Sequence, residues 1–211
     1  MNKFRTLTLA ASLLAFAPAV FAQDSTASST DHKRFAIVGG YAVQKVDSKP
    51  VDNSSLDLDG GSAATLSASW YVTPAIAVEL WGAADKFEQR VRGDQGKLGN
   101  IDSQPYALSA QYHFRNSDAP IRPFVGLGYY QANYSGGYNI TDGAGQHFGL
   151  EDTKGAIGTV GVDFNISPSW FARADARYMH GDSEITADGQ RVGQKADLNP
   201  WTVGIGIGAR F

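Results

Sequence analysis

The sequence predicts an all-β protein: an eight-stranded antiparallel up-and-down barrel that spans a membrane. Three observations lead there. Beyond residue 34, apolar residues recur at every second position in eight blocks, the period of a strand with two unlike faces, and no window sustains the 3.6-residue period of a helix. The connections between blocks alternate short and long, as in barrels with tight periplasmic turns and extended outer loops. Within the blocks, the alternate apolar positions named below include no charged residue.

Residues 1–22 read as a signal peptide, with a basic start at Lys3 and Arg5, an apolar stretch over 7–16 and a small-residue cleavage site at Val20-Phe21-Ala22. A membrane-anchoring helix would need about 20 apolar residues in a row; Pro18 interrupts this run and Gln23-Asp24-Ser25 ends it. Cleavage leaves sixteen Lys and Arg against 21 Asp and Glu, a net charge of −5 over 189 residues, which argues against a nucleic-acid partner. Cysteine is absent, which excludes disulfides, thiolate metal sites, a catalytic Cys and a lipobox-type lipid anchor. Residues 23–34, rich in Ser, Thr and Asp, form a flexible periplasmic lead-in, and the barrel occupies 35–211.

The first block, 35–46, is apolar on both parities and its faces stay unassigned. Block 63–72 sets Leu66, Ala68, Trp70 and Val72 against Ser67 and Ser69, and block 76–87 sets Ile76, Val78 and Leu80 against Glu79. In 105–114, Tyr106, Leu108, Ala110, Tyr112 and Phe114 oppose Ser109, Gln111 and His113; in 122–134, Val125, Leu127 and Tyr129 oppose Gly126 and Gly128. Block 155–166 places Val160, Val162, Phe164 and Ile166 opposite Gly161 and Asp163, and block 170–180 places Ala172, Ala174, Ala176 and Tyr178 opposite Arg173, Asp175 and Arg177. The last block, 198–211, alternates Trp201, Val203, Ile205, Ile207, Ala209 and Phe211 with Thr202, three glycines and Arg210. Short turns with Pro or Ser chemistry fall at 73–75, 115–121 and 167–169; long polar loops fall at 47–62, 88–104, 136–154 and 181–197.

Alternation alone fits a soluble barrel with an apolar interior as well as a lipid-facing one. Glycines at 126, 128, 161, 204, 206 and 208 crowd the polar parity, as a narrow lumen requires. Charges on that parity balance, Glu79, Asp163 and Asp175 against Arg173, Arg177 and Arg210, because an isolated enclosed ion costs several kcal/mol. With Ile166 and Trp170 flanking the last short turn, Asp163 falls opposite Arg173. Trp70, Tyr71, Tyr112, Phe114, Phe124, Phe164, Trp170 and Phe211 gather at strand ends beside the short turns, the placement of an interfacial aromatic girdle. The apolar parity therefore faces lipid, and the chain belongs in the outer membrane of a Gram-negative bacterium, with outer-membrane lipid and lipopolysaccharide around it.

Residues 67–80 (SASWYVTPAIAVEL), 105–114 (PYALSAQYHF), 122–130 (RPFVGLGYY), 161–166 (GVDFNI), 170–178, and the ending from Asn199-Pro200-Trp201 through Gly204-Ile205-Gly206 to Arg210-Phe211 closely resemble the OmpW/AlkL family of small outer-membrane barrels, in family order and across nearly the whole mature chain. The resemblance implies a monomeric eight-stranded barrel with a narrow lumen, partly hydrophobic in its outer half, that passes small, often apolar molecules and releases them sideways through the wall. It also implies that the terminal Phe211 is an assembly signal for the outer-membrane barrel assembly machinery. The chain departs from the family at Asp85-Lys86-Phe87-Glu88-Gln89-Arg90, where a histidine-bearing segment is usual, and at Thr153-Lys154-Gly155, where a Trp often opens the sixth strand. Both places bear on the outer lumen, so the ligand class stays open.

Strand parity points Trp81, Phe87, Tyr130, Tyr134, Ile157 and Met179 inward near the loop end. They form either a hydrophobic pocket for a ligand or plain filling of a barrel whose interior just holds its side chains. Glu79, Asp163, Arg173, Asp175, Arg177 and Arg210 form a lower-lumen charge network, read as a plug of mutually satisfied ions ahead of an ion-selective constriction. The histidines, 32, 113, 147 and 180, show no metal-ligand spacing, and no metal or cofactor is expected. An enzyme built on His180, Asp182 and Ser183 is the weakest reading, since three polar residues at a strand exit do not define a triad. Passive entry of small hydrophobic or amphipathic permeants is the leading function. Its rival is a surface interaction protein whose loops bind host factors, phage or toxins.

Overall fold

A computed structural model describes residues 33–46, 57–93, 96–140, 146–150, 152–187 and 190–211. The expected signal peptide and all but the last two residues of the lead-in lie outside the described residues. Lys33 and Arg34 are already tied to the barrel base: the Lys33 ammonium donates to Ser169 Oγ, and the Tyr71 amide donates to the Arg34 carbonyl at 2.7 Å.

The described chain is all strand and turn, with β1 (Phe35–Val46), β2 (Asp57–Asp59), β3 (Gly61–Tyr71), β4 (Ile76–Ala83), β5 (Phe87–Gly93), β6 (Gly96–His113), β7 (Ile121–Ile140), β8 (Gln146–Leu150), β9 (Thr153–Asn165), β10 (Trp170–Ala187), β11 (Gln190–Leu198) and β12 (Pro200–Arg210). Eight of these, β1, β3, β4, β6, β7, β9, β10 and β12, are staves, each antiparallel to the next. Closure is made by β1 and β12, in register from Ala36↔Arg210 to Val46↔Pro200. The chain ends complete the seam, with the Phe211 amide donating to the Phe35 carbonyl at 2.8 Å and the Phe35 amide to the Phe211 carbonyl at 3.2 Å. A closed sheet leaves no unpaired edge for lipid to desolvate, the condition for strands to cross a bilayer.

The alternation seen in the sequence becomes two surfaces. Leu66, Leu80, Leu108, Leu127, Val160, Val203 and Ile205 are exposed, while Glu79, Asp163, Arg173 and Arg177 on the other parity are buried. In the first strand, Ala36, Val38, Ala42 and Gln44 point inward, and Phe35, Ile37, Tyr41 and Val43 outward.

The long polar segments differ from the loops expected of them. β6, β7 and β10 continue past the apolar belt for 18, 20 and 18 residues in all, and β2, β5, β8 and β11 pair with one another's neighbours to make hairpins above the barrel. The sequences of these extensions carry no sustained apolar alternation, so the period that marks the staves is missing from them. The expected single strand 76–87 is also interrupted: β4 stops at Ala83, a turn follows in which the Lys86 amide donates to Asp85 Oδ1 at 2.8 Å, and β5 opens at Phe87.

Candidate functional site

The lower lumen is filled by one ionic network. Arg173 forks onto Asp163, Nε to Oδ1 at 2.7 Å and a terminal nitrogen to Oδ2 at 3.1 Å, and reaches Glu79 Oε2 at 2.8 Å. Arg177 takes Glu79 Oε1 at 2.8 Å and Asp175 Oδ1 at 2.9 Å; Arg210 takes Asp163 Oδ2 at 2.9 Å and Asn165 Oδ1 at 2.6 Å. All six expected residues are thus joined, and the cross-strand pair Arg173↔Asp163 holds in register. Charge-assisted hydrogen bonds of this forked kind compensate desolvation that would otherwise expel each ion.

The expected charge balance is corrected by Arg122. It is buried at the base and makes four arginines against three carboxylates in the described lumen. Its charge is met by dipoles instead: Nε donates to the Arg115 carbonyl at 3.1 Å, a terminal nitrogen donates to the Pro74 carbonyl, and the guanidinium lies 5.1 Å from the Tyr71 ring centre. Arg122 thereby ties two periplasmic turns to the plug. Its parity, shared with Gly126, was the available signal.

Two residues expected in the lipid-facing girdle, Tyr71 and Phe124, are buried inside the barrel with Phe171 and His113. Their parity is that of Ser69 and Gly126, so they belong to the inner face. His113 lies 5.4 Å from the Tyr71 ring and 5.1 Å from Phe124, while Arg173 sits 4.5 Å over Phe124 and Arg210 4.1 Å over Phe171. Arginine stacks favourably on such ring faces. The inner glycines explain the fit: Phe124 is registered against Gly161 and Phe171 against Gly208, and a Cβ at either glycine would fall on the facing ring.

Above the plug, Trp81, Ala107, Tyr130, Ala132, Ile157 and Met179 form one apolar cluster, with Tyr134 packed against it. Gly155 and Gly181, themselves paired, leave the space that Tyr130 fills, since a Cβ on Gly181 would meet its hydroxyl. Arg177 marks the boundary with the plug, 4.6 Å from the Trp81 ring centre. Phe87 does not join this group; it is buried with Ala42 and Ala63, because the turn after Ala83 carries it toward the β1–β3 wall.

The wall beside the cluster has an interval. The β4–β6 ladder runs from Ile76↔Tyr112 to Gly82↔Tyr106 and pairing with β6 resumes at Phe87↔Ser103 on β5. Pro105, within the interval, has no amide hydrogen to offer a ladder. Side chains span the gap instead: Gln104 Nε2 donates to the Ala83 carbonyl at 3.3 Å, and Lys86 lies 3.6 Å from Asp102 and 2.9 Å from Ser135 Oγ.

At the rim His180 Nδ1 lies 2.7 Å from Asn199 Oδ1; the side chains of Asp182 and Ser183 lie outside the described residues. Among the described residues no group of three or more His, Cys, Asp or Glu is placed to hold a metal ion.

A closed barrel with an ionic base and an apolar cluster above it can be set beside known proteins. A model of the OmpW family matches residues 33–211, nearly all of the chain. The chain belongs to that family. Among OmpW-family relatives, Outer membrane protein W of Salmonella typhimurium is 31% identical over 169 residues, 75% of this chain and 77% of that protein. Outer membrane protein AlkL of Ectopseudomonas oleovorans is 25% identical over 165 residues, covering 75% and 70%. In fold, the chain is similar to OprG of Pseudomonas aeruginosa, with a TM-score of 0.67 at 22% identity over 85% of this chain and 96% of OprG. It is likewise similar to AlkL in lipid bilayers, with a TM-score of 0.62 at 21% identity over 90% and 96%. It is an OmpW-family barrel of the Gram-negative outer membrane.

Proposed function

We propose that this barrel admits small hydrophobic or amphipathic molecules passively from outside into its upper chamber and releases them sideways into the membrane between β4 and β6. The observation that carries the reading is the pairing of a sealed base with a lapsed wall: the apolar chamber ends on a buried ion network, and the ladder gives way at the chamber's own height, where Gly82 and Tyr106 flank Trp81 and Ala107. A solute that has shed its water against Trp81 and Tyr130 meets charge below and acyl chains alongside, so the downhill route is lateral. No chemical step is assigned to the protein. The barrel works as a monomer within lipopolysaccharide-bearing membrane and is inserted by the assembly machinery through its terminal strand and Phe211.

The absence of native cysteine allows a clean test. Cysteines replacing Lys86 and Asp102, joined by a short thiol cross-linker, should reduce uptake of an apolar probe by about tenfold or more, with recovery on cleavage of the link. A link across the continuous β1–β12 ladder, at Val43 and Val203, should leave uptake intact. Equal uptake with both links would exclude the lateral route.

A further inference from the structure

Beneath Trp81, on the β1–β12 side of the lumen, lies a small gap lined by Val38, Gly40, Thr65, Ser67, Asp175 and Arg177, with Arg173, Ile205 and Gly206 completing it. Gly40 and Gly206 are register partners, and a Cβ at either would fall on the facing backbone. The gap has room for about one water-sized group. The gap differs in chemistry from the apolar chamber that shares Trp81 with it.

Its polar groups are unevenly engaged. Glu79 and Asp163 give both oxygens to arginines. Asp175 gives Oδ1 to Arg177, its second oxygen accepts from no described residue, and at 12% its side chain is the least covered acid of the network. Asp175 therefore brings an acceptor carboxylate to the lining of a slot that shares Trp81 with the apolar cluster.

From this we infer that the site takes amphipathic molecules head-down: the apolar body lies in the chamber against Trp81, Ile157 and Met179, and a small, uncharged hydrogen-bond donor, a hydroxyl above all, enters the slot and donates to Asp175. The inference rests on the chamber being a ligand site, as proposed above, and specifies which ligands it selects. A carboxylate head is excluded by size, since two oxygens exceed a space for one water; an ammonium head is excluded by Arg173 and Arg177, which flank the slot. Phosphate and sulfonate heads exceed the space. An alkane gains the chamber but leaves the acceptor unmet, and the difference is one net hydrogen bond, or about tenfold in affinity.

Met179 is the only methionine after the initiator, and it lines the chamber. In the full-length protein in lipid nanodiscs, labelling methionine methyl groups gives an NMR reporter there for titrations with octane, octanol and octanoate. Comparing ratios between wild type and variants cancels partitioning into lipid. The wild type should saturate with octanol at concentrations about tenfold below octanoate. Ser67→Val, which fills the slot with methyl groups, should reduce the advantage of octanol over octane to nearly none while leaving octane binding in place. Octanoate binding the wild type as tightly as octanol, or an octanol-to-octane ratio unmoved by Ser67→Val, would overturn the head-down slot while leaving the chamber standing. Failure of all three ligands to shift the Met179 signal would instead remove the chamber itself.

Discussion

Glu79 is the residue on which the plug turns, because its two oxygens are the shared acceptors of Arg173 and Arg177 at 2.8 Å each. Both arginines and the carboxylate are almost wholly withdrawn from water. A buried ion set is held together less by net attraction than by the cost of leaving any member unmatched. Glu79→Gln keeps the side chain's size and one acceptor oxygen but removes the charge that two guanidiniums share. It should destabilise the folded barrel by about 3–5 kcal/mol, the usual cost of breaking a buried pair from one side. Denaturant titration in detergent or lipid, followed by the gel-mobility shift of the folded form, measures it. A loss below about 1 kcal/mol would mean that water already screens the network. Two of the arginines keep a second support, since Phe124 stacks on Arg173 and Phe171 on Arg210.

At the level of single strands, the β4–β6 interval separates what hydrogen bonding fixes from what side chains merely bridge. An exposed pair such as Lys86–Asp102 adds little, about 0–1 kcal/mol. Amides of residues 85–86 should therefore exchange with deuterium well before those of 77–81, which sit in continuous ladder, while β6 stays protected through its unbroken pairing with β7. Uniform protection from 77 to 86 would show the wall to be closed in solution. This interval was not legible in the sequence: Phe87 keeps the inward parity of Trp81, so 76–87 reads as one strand even though the turn at Asp85 breaks it. The outer hairpins were hidden for a related reason, as their residues carry no sustained apolar alternation. By contrast, the staves, their order and the Asp163–Arg173 pair followed from parity and turn placement alone. Tyr71 and Phe124 went astray where nearness to a turn was weighed above parity, which placed both inside, and Arg122, on the same parity, was left out of the charge count. The apolar residues of the upper lumen were readable as inward-facing, but their grouping was not: Phe87 parts from Trp81 only when the turn geometry is known.

For the whole molecule, the decisive quantity is the sign of the outer surface. Leu127 is 77% exposed and Ile205 70%, values that would be a solubility hazard for a barrel in water and are ordinary for one whose solvent is acyl chain. The same outward face carries Phe164, Ile166, Trp170 and Phe211 near the short turns, where amphipathic rings settle at the interface. Leu127 lies between that girdle and the outer rim of β7, close to the middle of the belt. Leu127→Arg should thus cost about 2–4 kcal/mol when the protein folds into bilayers, the penalty for a cation near the midplane of a barrel wall. The same substitution at Ile121, at the periplasmic end of β7, should cost about 0–1 kcal/mol, because there the charge reaches water. Folding titrations of both variants into the same vesicles make the comparison internal. Equal penalties at the two depths would contradict a lipid-facing belt, and with it the idea that solutes leave the chamber through the wall.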